Sequence, residues 1–164
     1  MDLEQKLQAG ADLVKEWTIS SNKPEINRID LVIAPEHLKE SVSALLDNQW
    51  GYLSAITGLD HPEYAVDETG VKQIVADKGN LELLYHFSGG AAVLTLRITL
   101  PYEHAVVDSI CEIDLAAQLY EREAAELFGI EFTGAPSTDH LVLPDEWPVG
   151  VYPLRKSFTG LKKS

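Results

Sequence analysis

The densest cluster of chemically capable side chains lies between positions 121 and 126, where Glu121, Arg122, Glu123 and Glu126 fall within two helical turns. Two carboxylates flanking one bond could act as general acid and base. Glu121 and Glu123, however, stand two positions apart on a helix and point about 200° from each other, so they cannot converge on one bond. Glu123 and Glu126 lie closer together, but without a metal they read as structural. The histidines are His37, His61, His86, His104 and His140, and none sits three or four residues from another. Local metal-ligand spacing is therefore absent, and a metal site would need residues from distant parts of the chain. The single cysteine, Cys111, excludes an internal disulfide and a cysteine-held zinc or iron–sulfur site built by this chain alone. In its apolar, strand-like surroundings it reads as packing. There is no Gly-rich phosphate loop and no Ser-centred nucleophile elbow.

The carboxylates need a helix to hold them. Asp114 is a good N-cap for a helix over residues 115–128, with Gly129 as its C-terminal stop. With Leu115 at 0°, Leu119 falls at about 40°, Ala116 at about 100°, Leu127 at about 120° and Tyr120 at about 140°. These residues predict a buried face centred near 80–100°, with Glu123 in its middle at about 80° and Arg122 and Glu126 on its flank. A carboxylate inside a buried stripe is costly unless it is paired. Either Glu123 reaches water or it meets a fixed cation. Arg155 is the preferred partner, because a guanidinium can grip a carboxylate with two bonds.

Other elements must carry that helix. Leu3, Leu7, Ala11 and Val14 at helical spacing predict a helix over residues 2–17, weakened at Gly10. Residues 20–24 read as a loop, and residues 26–34 as a strand with Ile29, Leu31 and Ile33 on one face. Pro35 opens a helix running to about Asp47, burying Leu38, Val42 and Leu45 or Leu46. Residues 48–62 read as a connector. The clearest signal is a hairpin over residues 81–100. Leu81, Leu83, Tyr85 and Phe87 alternate with Glu82, Leu84, His86 and Ser88; Gly89-Gly90 turns; Leu94, Leu96, Ile98 and Leu100 alternate with Thr95, Arg97 and Thr99. Such alternation suits an antiparallel sheet covered on one side. Residues 104–110 suggest a further strand or extended segment.

The chain has 164 residues, 45% of them hydrophobic and 24% charged, which suits one folded domain. It carries 13 basic and 26 acidic residues, a net charge of −13, so nucleic acid is a poor partner. No export signal is visible and the longest stretch without formal charge is too short to span a bilayer. The expectation is a cytoplasmic protein that meets a membrane only through something else. Charge is unevenly placed: Arg155, Lys156, Lys162 and Lys163 close the sequence with no acid among them. That end reads either as a solvated tail or as a basic strap for an acidic neighbour.

The segment Glu121-Arg122-Glu123-Ala124-Ala125-Glu126-Leu127-Phe128-Gly129-Ile130-Glu131-Phe132-Thr133-Gly134 resembles the signature of the 30-kDa subunit, also called the C subunit, of proton-pumping NADH:quinone oxidoreductase, respiratory complex I. Leu143-Pro144-Asp145-Glu146-Trp147 and Pro153-Leu154-Arg155-Lys156 resemble that family's second block, in the same order. The likeness covers about residues 30–158 and is strong over 94–158. The Trp147–Pro153 spacing is closer to the related subunits of energy-converting nickel–iron hydrogenases and formate hydrogenlyases. There are departures. Ala135 stands where the family has histidine, Asp139 and His140 where it has basic residues, and Ser157 where an acid is usual.

The resemblance implies an α+β fold, mostly antiparallel sheet with helices packed on one side, divided into a core over 1–143 and an extended, partner-docking tail over 144–164. It implies a non-catalytic scaffold or assembly subunit of the peripheral arm, docking on the large hydrogenase-like, quinone-site subunit, with an iron–sulfur small subunit in the same complex. The chain itself would hold no cofactor; iron–sulfur clusters, quinone or a nickel–iron site would lie in its partners. Structural and docking roles would fall on Glu121, Arg122, Glu123, Glu126, Phe128, Gly129, Gly134, Pro136, Pro144, Trp147, Pro153, Leu154, Arg155 and Lys156. Its place would be the cytoplasmic side of the inner membrane, peripherally. The alternatives are the equivalent subunit of a membrane-bound hydrogenase or formate hydrogenlyase, a free-standing interaction domain, and a small hydrolase or isomerase with a cryptic carboxylate site.

Overall fold

Alternating apolar residues build the centre of the molecule. The computed structural model describes residues 2–161. A five-stranded sheet runs in the order β1 (Thr18–Glu25), β2 (Arg28–Ile33), β5 (Ala92–Pro101), β4 (Lys72–Gly89), β3 (Tyr52–Val66). All its neighbours are antiparallel except β2 and β5. The register sets Leu83 opposite Ile98, Tyr85 opposite Leu96 and Phe87 opposite Leu94, so these six side chains face one side, while Leu84 and Val93 fall on the other with Arg97 and Ser88. All six side chains are fully buried. The turn lies at Gly90 and Ala91, one residue later than the Gly89-Gly90 reading, with Gly90 at φ 68°.

The helices cover that one face. The first, α1 (Leu3–Leu13), starts at a capping box between Asp2 and Gln5. Its Gly10 is a point of close approach, not a weakness: a Cβ there would stand 2.5 Å from the Trp50 indole nitrogen and 2.9 Å from Leu94. A short 3₁₀ turn at Pro35–His37 leads into α2 (Leu38–Asp47), which buries Leu38, Val42 and Leu45. The third helix, α3 (Ala117–Phe128), lies against β3, where Gly58 leaves room for the Phe128 ring. It is flanked by β6 (Val106–Asp108) and β7 (Glu131–Thr133), which pair in parallel.

The opposite face of the sheet is polar. Arg97 bridges Asp30 at 3.1 Å and Glu82 at 2.7 Å, and His61 meets Glu82 at 2.9 Å, forming a polar ladder over four strands. The architecture is α+β, as the sequence predicts.

Two readings need correction. Residues 20–24 are not a loop but the middle of β1, an edge strand whose residues after Thr18 are all exposed. Residues 48–62 are not a connector throughout: β3 begins at Tyr52 and forms the other edge. Edge strands need no strict apolar alternation, and β3 is further interrupted by a register shift between Leu53 and Ala55.

Candidate functional site

The helix α3 starts two residues later than its cap residue suggests. Asp114 accepts the Ala116 N–H at 3.0 Å and holds the turn before the helix, while Ala116 occupies the N-cap without a side-chain bond. Its buried residues are Ala117, Glu121, Ala124, Leu127 and Phe128. On the angular scale set by Leu115 they centre near 200°, about 100° from the face expected to be buried. Leu115, Leu119 and Glu123 consequently point outward and are exposed.

The pairing of Glu123 with Arg155 is therefore wrong. The buried carboxylate is Glu121, 1% exposed. It accepts hydrogen bonds from the Ser109 hydroxyl at 2.6 Å, the Ile110 N–H at 2.8 Å and the Cys111 thiol at 3.3 Å. A carboxylate surrounded by donors needs no cation to be tolerated in the interior. Burial pushes the Cys111 thiol pKa up, and the Glu121 contact adds to this against the opposing Ser109 bond, which keeps the sulfur in its unreactive form. Glu121 thus ties the chain entering α3 to the helix itself.

Arg122 and Glu126, one helical turn apart, grip the segment that follows β7. Arg122 donates to the carbonyls of Asp139 at 3.0 Å and His140 at 2.9 Å. Glu126 accepts from the N–H groups of Leu141 at 3.1 Å, Val142 at 2.6 Å and Leu143 at 3.2 Å, and contacts His140 Nδ1 at 3.1 Å. Burial pushes the Glu126 carboxyl up, but the bonds from Val142, His140, Leu141 and Leu143 together hold it below the ordinary carboxylate value. Gly134, at φ 80°, and Pro136 are exposed on the way to this clamp. Between α3 and residues 129–140 lies a groove of about 630 Å³ whose lining includes Cys111, Glu121 and Tyr152.

The tail is fastened at the far end of the helix. Leu154 N–H donates to the Leu127 carbonyl at 3.1 Å, and Arg155 Nε donates to the Phe128 carbonyl at 2.7 Å. Carbonyls at a helix C-terminus lack intrahelical donors and carry partial negative charge, so a guanidinium is well placed there. The guanidinium lies 4.8 Å from the Tyr102 ring and 4.7 Å from the Tyr152 ring. Asp60, 5% exposed on β3, accepts the Lys156 N–H at 2.6 Å and the Tyr102 hydroxyl. Gly129 stops the helix at φ 74°, and any side chain there would strike the Tyr152 ring. Earlier in the tail, the Pro144 carbonyl accepts the Trp147 N–H, Trp147 Nε1 donates to the Val151 carbonyl at 2.7 Å, and the Trp147 and Phe158 rings lie 6.2 Å apart. Pro153 is half-buried and Lys156 exposed. The reading of a basic end extends to Lys162 and Lys163, which lie outside the described residues.

The structure thus brings Glu121, Arg122, Glu126, Phe128, Gly129, Leu154 and Arg155 together around one helix and leaves Glu123 aside. Sequence reasoning missed Asp60 and Tyr102, and it reads Tyr152 as a tail aromatic for a partner to cover, whereas the ring packs on this chain's own Gly129 and Arg155; a lone Asp in an apparent connector carries no motif, and its partners lie 42 and 96 positions away. Among the described residues no group of three or more His, Cys, Asp or Glu side chains could hold a metal ion.

Residues 31–164 match the family described as respiratory-chain NADH dehydrogenase, 30 Kd subunit. The C subunit of the F(420)H(2) dehydrogenase of Methanosarcina mazei is 32% identical over 127 residues, covering 76% of this chain and 67% of that one. The beta subunit of the membrane-bound hydrogenase of Pyrococcus furiosus is 33% identical over 79 residues, covering 48% of this chain and 46% of its own. Among solved structures, a chain of the membrane-bound sulfane sulfur reductase, an archaeal respiratory membrane complex, superposes with a TM-score of 0.70 at 18% identity, over 92% of this chain and 84% of that one. At that identity the likeness concerns the fold.

Proposed function

Because the chain belongs to the family of the 30-kDa subunit of respiratory-chain NADH dehydrogenase, we propose that it is the non-catalytic scaffold subunit in the peripheral arm of a complex I-like NADH:quinone oxidoreductase, docked on the large catalytic subunit. At the coarser level its relatives are subunits of multi-subunit complex I-like and hydrogenase-related oxidoreductases. Among the described residues, no helix is long and apolar enough to cross a membrane. A peripheral position on the cytoplasmic side, reached through the complex, suits such a chain.

The observation that carries the reading is how the tail is fixed. Arg155 and Asp60 attach residues 154–156 to the core through backbone bonds, Trp147 and Phe158 are half-buried with their rings 6.2 Å apart, and Leu141, Val142, Val149 and Leu154 of the same segment stay exposed. A segment without helix or strand, held at set points and carrying aromatic side chains, is built to be covered by another protein. Electron carriers, whether iron–sulfur clusters, quinone or a nickel–iron site, would then belong to the partners, and this chain would set their spacing. The hydrogenase relative supports a second reading, in which the complex evolves hydrogen. Nickel-ligand cysteines in the large partner would select that reading, and their absence would select quinone reduction.

Solubilisation of native membranes in mild detergent, followed by purification through this chain, is expected to recover a large hydrogenase-like subunit and an iron–sulfur small subunit. The double variant Trp147→Ala, Phe158→Ala is expected to reduce that recovery about tenfold, the loss of roughly 1.4 kcal/mol of contact energy. Recovery of the wild-type chain alone would favour a free-standing interaction domain, and turnover by the isolated chain a small hydrolase or isomerase.

A further inference from the structure

The outward side of α3 carries apolar surface that folding of this chain does not cover. Leu119, 55% exposed, and Glu123 stand one helical turn apart on that side of α3, and Leu115, 67% exposed, lies in the turn that leads into the helix, its carbonyl accepting the Gln118 N–H at 3.1 Å. Leu154 of the tail, 51% exposed, stands beside Glu123 at a depression of about 180 Å³ that Gly58, Tyr120 and Phe128 also line.

None of these side chains hangs on a loose segment. Leu119 and Glu123 share a helix whose opposite face is locked by Glu121. Leu154 is bonded to Leu127 through its own N–H, and its neighbour Arg155 is bonded to Phe128. Scattered exposed leucines are ordinary, but a contiguous, rigidly held apolar stripe marks an interface.

Charge says what kind of surface covers it. Glu123 lies within the stripe and has no ion-pair partner among the described residues. Glu112, near the start of the helix, engages Lys39 at 2.6 Å. The whole chain carries −13, so a second copy would bring acid against acid and place one Glu123 near the other.

We infer that Leu115, Leu119, Glu123 and Leu154 seat a different protein whose apolar side chains are flanked by arginine or lysine, one cation of which reaches Glu123. This rests on the scaffold reading and deepens it: it names the surface engaged and the chemistry of what meets it. The tail and the helix would present one continuous face, with Leu154 as their junction.

The test uses the full chain in its complex. A photo-crosslinking amino acid at position 119 is expected to join a peptide of another subunit that contains apolar and basic residues. Leu119→Glu and Glu123→Lys are each expected to lower recovery of the complex about tenfold. Both positions are exposed, so the melting temperature of the isolated variants should stay within about 2 °C of the wild type. Crosslinking to a second copy or to lipid would overturn the inference. So would full assembly of both variants; if the Trp147→Ala, Phe158→Ala variant then fails to assemble, the scaffold reading stands and only this surface is wrong. Isolation of the wild-type chain free of any oxidoreductase subunit would sink both together.

Discussion

The β4–β5 hairpin and the segment over residues 134–161 hold their shapes by different means. In the hairpin, Leu81, Leu83, Tyr85, Phe87, Leu94, Leu96 and Ile98 are wholly buried against one another and the helices. The later segment has no helix or strand, and side chains of its neighbours hold its backbone: Arg122 and Glu126 at 139–143, Asp60 at Lys156. Where its own side chain holds on, as Arg155 does, it again grips backbone, the Phe128 carbonyl. Apolar burial is non-directional and spreads over many contacts, so the hairpin behaves as one unit. Bonds to backbone groups are directional and few, so the segment can be released one fastening at a time. A docking strap benefits from the second kind of order, since its side chains remain free to face a partner.

The largest effect should come from the hairpin. Phe87→Ala is expected to cost about 3–5 kcal/mol in urea unfolding, with loss of the sheet and the tail in one transition. Survival of tail protection while the sheet melts would break the comparison. On α3, which carries fastenings of the later segment, Glu121→Ala should cost about 2–3 kcal/mol in the same assay, because the Ser109, Ile110 and Cys111 donors lose their shared acceptor. Glu121→Gln, which keeps one acceptor oxygen, should cost less. A ranking with Gln worse than Ala would show that the Gln amide NH2, set against the Ser109, Ile110 and Cys111 donors, outweighs the acceptor oxygen it keeps.

The smallest effect is local and depends on pH. Folding lowers the Glu126 pKa, so its bonds stabilise the folded chain fully above the unfolded carboxyl's value of 4.5 and are lost as pH falls through the lower folded value. Amide resonances of Leu141, Val142 and Leu143 should therefore shift together as pH falls below 4.5, while those of β4 and β5 stay fixed. Glu126→Gln should abolish the titration. Coincident movement of the sheet resonances would mean that the clamp and the core are not separable.

The same contrast explains what could be read in advance. The hairpin was legible because alternation records burial directly: Leu81, Leu83, Tyr85, Phe87, Leu94, Leu96 and Ile98 recur every second position and face one side. Gly129 was legible as a helix stop because few residues other than glycine accept φ 74°. The face of α3 was not. Its apolar periodicity counts Leu115 and Leu119 equally with Leu127, and nothing local tells which leucines the same chain will cover. The misassigned face is itself informative, since it is the face proposed to be covered by another protein. The tail's motif signalled that residues 153–156 matter, yet not that Arg155 grips a carbonyl or that Asp60 grips Lys156.

By itself, then, the order of residues determined the family, the one-sided sheet, the helix that ends at Gly129 and the polar character of its motifs, because each depends on spacing within a few positions. Tertiary structure alone decided that Glu121 turns inward and Glu123 outward, and that the tail is fastened through Asp60, Tyr102 and Tyr152. Those choices depend on which surfaces meet across tens of residues of intervening chain. No local period encodes such a meeting; only the packed sheet and helices do.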